Sequence, residues 1–101
     1  MLAHNVFFTL ADKSQANRDK LIAGCKKYLA AHPGAIFFAC GGLALGLHRD
    51  VNDRDFDVAL HIVFADQASH DGYQDAPRHH QFVAECKHLW GRVRVFDSVV
   101  D

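Results

Sequence analysis

The sequence predicts an α+β domain in which one four-stranded antiparallel sheet carries all of its helices on one face. Apolar residues alternate in four short segments, and between those segments they recur at helical spacing. Glycine and proline stand at several of the segment ends. A chain of 101 residues can bury enough surface to fold without disulfides or a structural metal. We therefore expect residues 1–101 to form a single domain.

The first half of the chain predicts a strand, a helix and a second strand. Residues 2–10 alternate between two sides with the period of a strand. Ser14 can cap the helix that follows, and this helix must end near Pro33, because proline disfavours α geometry in the residue before it. Ala35–Cys40 is apolar and aromatic, so it predicts the second strand. We expect that strand to bend or bulge at the Gly41-Gly42 pair.

The second half predicts two strands separated by two helices. Phe56–Phe64 is the third strand, and Asp66 can cap a short helix after it. Pro77 suits the first turn of the next helix, which Gly91 should end. Arg92–Val99 alternates again and predicts the fourth strand. The resulting order, β-α-β-β-α-α-β, is that of the ferredoxin-like α+β fold.

The predicted sheet carries apolar side chains on both faces, although its helices can cover only one. The segments FFT, IFFAC and VALHIVF all show this pattern, whereas a strand with one solvated face should alternate apolar with polar. No helix remains for the second face, so a second copy of the chain is the simplest cover. We predict a homodimer through this face, with Val58, Leu60 and Ile62 towards the helices and Asn5, Phe7, Thr9 and His61 towards the partner.

Charge and cysteine content exclude several classes of protein. Eleven Lys and Arg against twelve Asp and Glu give a net charge of −1, too little to attract nucleic acid or an anionic membrane. An RNA-recognition domain shares this topology, but its glycine-rich aromatic submotif is absent from the third strand. The three cysteines, Cys25, Cys40 and Cys86, are odd in number and lie among apolar residues, which suits buried thiols in a reducing compartment. With no secretory signal or membrane span in the sequence, we expect a cytoplasmic protein.

His79 is the strongest candidate for chemistry. It precedes Phe82, Val83 and Cys86 by three, four and seven residues, so it lies on the inward face of its helix. The positive end of the helix dipole and partial burial both disfavour imidazolium, which leaves a neutral imidazole able to act as a general base. Tyr73 could donate a hydrogen bond to a developing oxyanion, and His4 could face the same cavity.

Other chemistries have little support in the sequence. No nucleophile elbow, phosphate loop or dinucleotide motif is present. No histidine, cysteine and carboxylate spacing marks a metal site, so we expect neither a metal nor another cofactor. His32 is explained by the end of its helix, and His48 and His70 by surface positions. A histidine or tyrosine on an apolar face is also more often a hydrogen-bonded core residue than a catalyst.

Three segments together resemble the stress-responsive A/B barrel (Dabb) family: LAHNVFF, YQDAPRHHQFV and LWGRVRVFD. The similarity extends from His4 to about Asp97. It implies a dimeric α/β barrel in which two ferredoxin-like protomers close their sheets against each other. One member type, the plant polyketide cyclase olivetolic acid cyclase, has a pocket inside each protomer.

The resemblance also implies roles for individual residues. His4, Tyr73 and His79 match the strand-one histidine, the tyrosine and the later histidine of the family, and the last of these is the general base in the cyclase. Two positions depart from the pattern, because Ala76 replaces a frequent histidine and Cys25 replaces the cyclase's helix-one tyrosine.

We predict a homodimer that binds a small, largely apolar ligand between sheet and helices, with possible cyclase- or lyase-like acid and base chemistry. The candidate catalytic residues are His79, Tyr73 and His4, and the predicted pocket residues are Val6, Phe8, Cys25, Leu60, Ile62, Phe82 and Val83. The competing hypothesis is a structural or stress-protective dimer without catalysis. A cavity of about 300 Å³ or more open to solvent would favour a ligand, and a packed interior would favour the structural role.

Overall fold

The computed structural model describes residues 1–101 and contains one four-stranded sheet with three α-helices. The elements are β1 (Leu2–Leu10), α1 (Gln15–Leu29), β2 (Ala35–Gly42), β3 (Val58–Phe64), α2 (Gln67–Asp75), α3 (Pro77–Cys86), a 3₁₀ turn (Lys87–Leu89) and β4 (Trp90–Val99). The sheet order is β2-β3-β1-β4, and every neighbouring pair is antiparallel. The predicted ferredoxin-like fold and its β-α-β-β-α-α-β order are confirmed.

Local signals in the sequence set the starts of all three helices. The Ser14 side chain accepts a hydrogen bond from the backbone N–H of Asn17, and Asp66 accepts one from Ser69. Both caps satisfy an N–H group that the first helical turn leaves unpaired. Pro77 occupies the first turn of α3, where its missing N–H removes no helical hydrogen bond.

Two predicted features were placed wrongly. The strand β2 does not bulge at its glycines, because Gly41 and Gly42 pair in register with β3, and the irregularity lies between Ala35 and Phe37. Gly91 does not end α3 but lies inside β4. A Cβ atom on Gly91 would come within 3.2 Å of the backbone nitrogen of Ala11. Glycine is therefore needed at this position because two backbone segments approach closely. In the sequence alone, such a glycine looks the same as one that ends a helix.

The strand register divides the side chains between the two faces of the sheet. His4 lies opposite Ile62 on one side and Asp97 on the other, whereas Asn5 lies opposite His61. In β1 and β3, the residues on the His4 side are buried beneath the helices, including Val58, Leu60 and Ile62. Phe7 and His61 lie on the opposite face, which no helix covers.

The hydrophobic core lies between the sheet and the helices, but the helical layer does not extend over β4. Val93 and Val95 pair with Phe8 and Val6 and so point to the helix side of the sheet. They nevertheless remain 38% and 50% exposed. The helices contact β4 only sparsely, because α3 packs mainly on α1. An apolar strip of β4 is thus open beside the core. None of the helices combines the length and the apolar character needed to cross a membrane.

Candidate functional site

Four histidine rings surround the buried side chain of Tyr73. Tyr73 belongs to α2 and is only 2% exposed. Its ring centroid lies 4.9 Å from that of His79, 5.0 Å from His32 and 5.7 Å from His4. The ring of His70 is slightly farther away, at 6.4 Å. A phenol among several imidazoles is a chemically unusual part of an otherwise apolar core.

Each of these histidines is positioned by a different part of the fold. The break at Ala76 starts α3 and places His79 in its first turn, where the His79 N–H donates to the Ala76 carbonyl. His32 follows the end of α1, and its Nε2 donates to the Tyr28 carbonyl at 2.7 Å. His4 points inward from β1 and is 3% exposed. His79, in contrast to His4 and His32, is only partly buried, so it both faces Tyr73 and contacts solvent.

His4 is held by a carboxylate across the sheet. Its Nδ1 lies 2.6 Å from Oδ1 of Asp97, the residue directly opposite on β4. Because a carboxylate accepts, Nδ1 carries the proton, and Nε2 of the neutral ring is left as an acceptor. The His70 ring lies 5.0 Å from that of His4.

Burial sets the protonation of the main candidates. The pKa of His79 lies below its usual value, first because of burial and then because of repulsion from the neighbouring histidines. Burial also lowers the pKa of His4, although Asp97 opposes this effect. Burial raises the pKa of the Tyr73 hydroxyl well above its usual value. At neutral pH the site therefore combines neutral imidazoles on His4 and His79 with a phenol that can donate a hydrogen bond.

The fold brings together all three residues that the sequence singled out, His4, Tyr73 and His79. It also adds His70, Asp97 and His32, which sequence reasoning missed. The side chain of His70 is only 14% exposed, so its assignment to the surface was wrong. Asp97 could be linked to His4 only through the β1–β4 register, which no local motif specifies.

The predicted ligand pocket is filled by its own side chains. Six of its seven residues are buried in the core: Val6, Phe8, Cys25, Leu60, Ile62 and Phe82. None of the seven lines any of four surface concavities. One of these, of about 470 Å³, is lined by Tyr73, His32, Gly34 and Ser69. A ligand among the seven predicted residues stays a prediction that requires them to move.

Comparison with known protein families and structures shows what the chain is similar to. Residues 2–100 match the family model described as Stress responsive A/B Barrel Domain. No curated protein matches the chain. A Dabb family protein with a ferredoxin-like fold from Mesorhizobium loti has 27% identity and a TM-score of 0.78, over 98% of this chain and 95% of that one.

Two further structures resemble the chain in fold. A dimeric ferredoxin-like protein of unknown function from Thermobifida fusca has 22% identity and a TM-score of 0.79, over 98% of this chain and 90% of that one. The hydroxynitrile lyase of Passiflora edulis has 21% identity and a TM-score of 0.76, over 99% of this chain and 93% of that one. The more specific resemblance to olivetolic acid cyclase stays a prediction.

Proposed function

Because this chain belongs to the stress-responsive A/B barrel domain family, we propose that it forms a homodimer whose protomers each carry an acid–base site for a small, largely apolar carbonyl compound. The observation that carries the proposal is the position of His79, a neutral imidazole that is in contact with both the buried phenol of Tyr73 and solvent.

The open strip of β4 offers a place for the apolar part of such a compound. Val95 lies two residues from Asp97 on the same face of β4 and is half exposed. Val83, one helical turn after His79, is the one predicted pocket residue that is not fully buried. A small ligand between α3 and β4 would therefore cover valine side chains and place its polar end near the histidines, without opening the packed core.

The proposed chemistry is proton transfer at a hydroxyl or an activated carbon. His79 accepts the proton, and the Tyr73 hydroxyl donates a hydrogen bond to the substrate oxygen. His4, fixed by Asp97, orients the substrate or His79. With a hydroxynitrile, removal of the hydroxyl proton by His79 allows the carbonyl to form as the bond to the nitrile carbon breaks, and cyanide leaves with the electron pair. The chain shares its fold with a hydroxynitrile lyase, which supports the use of a hydroxynitrile as the test substrate.

The test uses mandelonitrile as substrate and benzaldehyde as product. The parent should bind benzaldehyde and release it from mandelonitrile, and His79→Ala should lower turnover by about 10² to 10⁴. His88→Ala is the matched control, because His88 is an exposed histidine beyond the end of α3. If the parent neither binds nor cleaves these compounds, and His79→Ala changes only the melting temperature, the proposal is wrong.

A second candidate is a structural or stress-protective dimer without a ligand. It is favoured by the packing of the core, in which Phe8, Leu60 and Ile62 are at most 2% exposed. Under this hypothesis the histidines around Tyr73 only make internal contacts, such as the hydrogen bonds of His4 to Asp97 and of His32 to the Tyr28 carbonyl. Native mass spectrometry of the purified dimer distinguishes the two, since a retained small molecule would favour the ligand-binding function.

The cellular setting is also a proposal. All three cysteines are free thiols, and Cys25 and Cys86 are buried. Such thiols persist most readily in a reducing compartment, which favours the cytoplasm.

A further inference from the structure

We propose that His4, His70 and Asp97 form a binding site for a divalent transition-metal ion of the Zn²⁺ type. One ligand atom from each of the three residues lies within 4.8 Å of the other two. Two imidazoles and one carboxylate are a donor set that such ions prefer, and they leave at least one coordination position for water.

The three residues come from three separate elements. His4 lies near the start of β1 on its inward face, Asp97 is its direct partner on β4, and the His70 ring comes from α2 to within 5.0 Å of the His4 ring. The residues are 66 and 27 positions apart along the chain, since 70 − 4 = 66 and 97 − 70 = 27. No local spacing motif could therefore reveal them, which explains why the sequence predicted no metal.

The three ligand atoms need only small shifts to accept an ion: a slight separation of Nδ1 of His4 from Oδ1 of Asp97, now 2.6 Å apart, and an approach of His70. Metal–ligand distances of about 2.0–2.2 Å place two tetrahedral ligand atoms about 3.3–3.6 Å apart. Asp97 has a side chain that is 43% exposed and can move towards the ion. It also provides a route from solvent to the buried ring of His4. The ion would replace the proton that His4 now shares with Asp97.

The remaining contacts of His70 leave it available. Its Nδ1 is 3.1 Å from the exposed carboxylate of the adjacent Asp71, and its Nε2 is 3.5 Å from the Gln74 side-chain nitrogen. Neither is a strong buried hydrogen bond. The ring is nevertheless held in place, with its centroid 5.7 Å from that of Phe64. His70 is thus a positioned imidazole beside a His–Asp pair, and no strong hydrogen bond would have to break for it to bind an ion.

This inference does not depend on the proposed function, because it can be tested without any substrate. The purified protein is freed of metal by a chelator and titrated with Zn²⁺ by calorimetry and with Co²⁺ by visible absorption. The parent should bind about one ion per chain, and the Co²⁺ spectrum should report nitrogen and oxygen ligands in a low-symmetry site.

The variants His70→Asn and Asp97→Asn remove one ligand each from partly exposed positions, so both should fold. Each should weaken binding of Zn²⁺ by about 10- to 100-fold or more. The matched control is the double variant His48→Asn with His88→Asn, which removes two exposed histidines elsewhere and should leave the affinity unchanged. The site is disproved if the parent binds no ion, if both single variants keep the parent affinity, or if the control loses as much as they do.

Discussion

Protonation of the His79 imidazole destabilises the folded state, because the ring is partly buried beside other histidines. Burial lowers its pKa first, and nearby histidines lower it further. A histidine whose pKa is lower in the folded than in the unfolded state binds fewer protons when folded. The free energy of unfolding therefore rises with pH between the folded pKa and the unfolded value of 6.5, and it is constant above that window.

We predict that the melting temperature falls as the pH is lowered from about 7.5 to about 5.5, and that His79→Gln makes this fall smaller. The groups that face His79 are Tyr73, His4, His32, His70 and His80. His4 also has a lowered pKa, so part of the slope should remain. Thermal unfolding at both pH values provides the measurement, and His48→Gln, at an exposed position that does not face His79, should keep the parent slope. An unchanged slope in His79→Gln would contradict the burial argument.

The sequence could identify only those site residues whose place depends on local periodicity. His4, Tyr73 and His79 each lie on the inward side of an element whose apolar period is visible in the sequence. Asp97 instead depends on the register between β1 and β4, and His70 depends on the rotation of α2. Few apolar residues mark the inward side of α2, so no periodic pattern indicates that His70 lies there.

Among the elements, α1 and α3 pack on each other at a glycine of α1. Gly24 in α1 is buried, and a Cβ atom there would lie 2.5 Å from the Sγ of Cys86 in α3. Two helices can pack this closely only where one of them lacks a side chain. The helix α3 packs on α1 rather than on β4, and the strip of β4 stays open for the proposed ligand.

We predict that Gly24→Ala destabilises the protein by about 1–3 kcal/mol, because overpacking outweighs the gain in helix propensity. Gly72→Ala is the matched control. Gly72 is an exposed helical glycine with nothing near its missing Cβ, so alanine should stabilise by about 0.5–1 kcal/mol. Chemical denaturation measures the free energy of unfolding of both variants. Adding Cys86→Ala to Gly24→Ala should recover part of the loss, and strictly additive effects would argue against this contact.

The sequence predicted the helices and strands better than their boundaries. The apolar period of a strand or helix is defined by many residues, and for β1 the predicted range agrees with the structure at both ends. Glycine is ambiguous because it marks a bulge, a helix end or a close backbone approach equally well. Gly41 and Gly42 simply continue β2, and Gly91 permits the close approach to Ala11. Only tertiary contacts distinguish a glycine in a bulge, at a helix end or at a close backbone approach.

The whole molecule has two apolar surfaces that its own helices leave uncovered. The first is the open face of the sheet, with Phe37 and Phe96 at 55% and 53% exposure. The second is the strip of β4 on the helix side. The sequence could predict that the open face needs a cover, because apolar residues occupy both sides of the strands. It could not predict the strip, which depends on how far the helical layer extends.

We predict that the open face is the dimer interface and that a charge at its centre disrupts it. The Phe7 ring lies 5.0 Å from that of Phe56 and 5.8 Å from that of Phe96, and it is not part of the core. An interface of about 1,200–2,000 Å² in total should hold the parent as a dimer at micromolar concentration. Phe7→Asp would bury an unpaired carboxylate there, so sedimentation should show monomer with an unchanged circular dichroism spectrum. Ala16→Asp, on the exposed side of α1, should remain dimeric. A monomeric parent, or a dimeric Phe7→Asp, would mean that something other than a second copy covers this face.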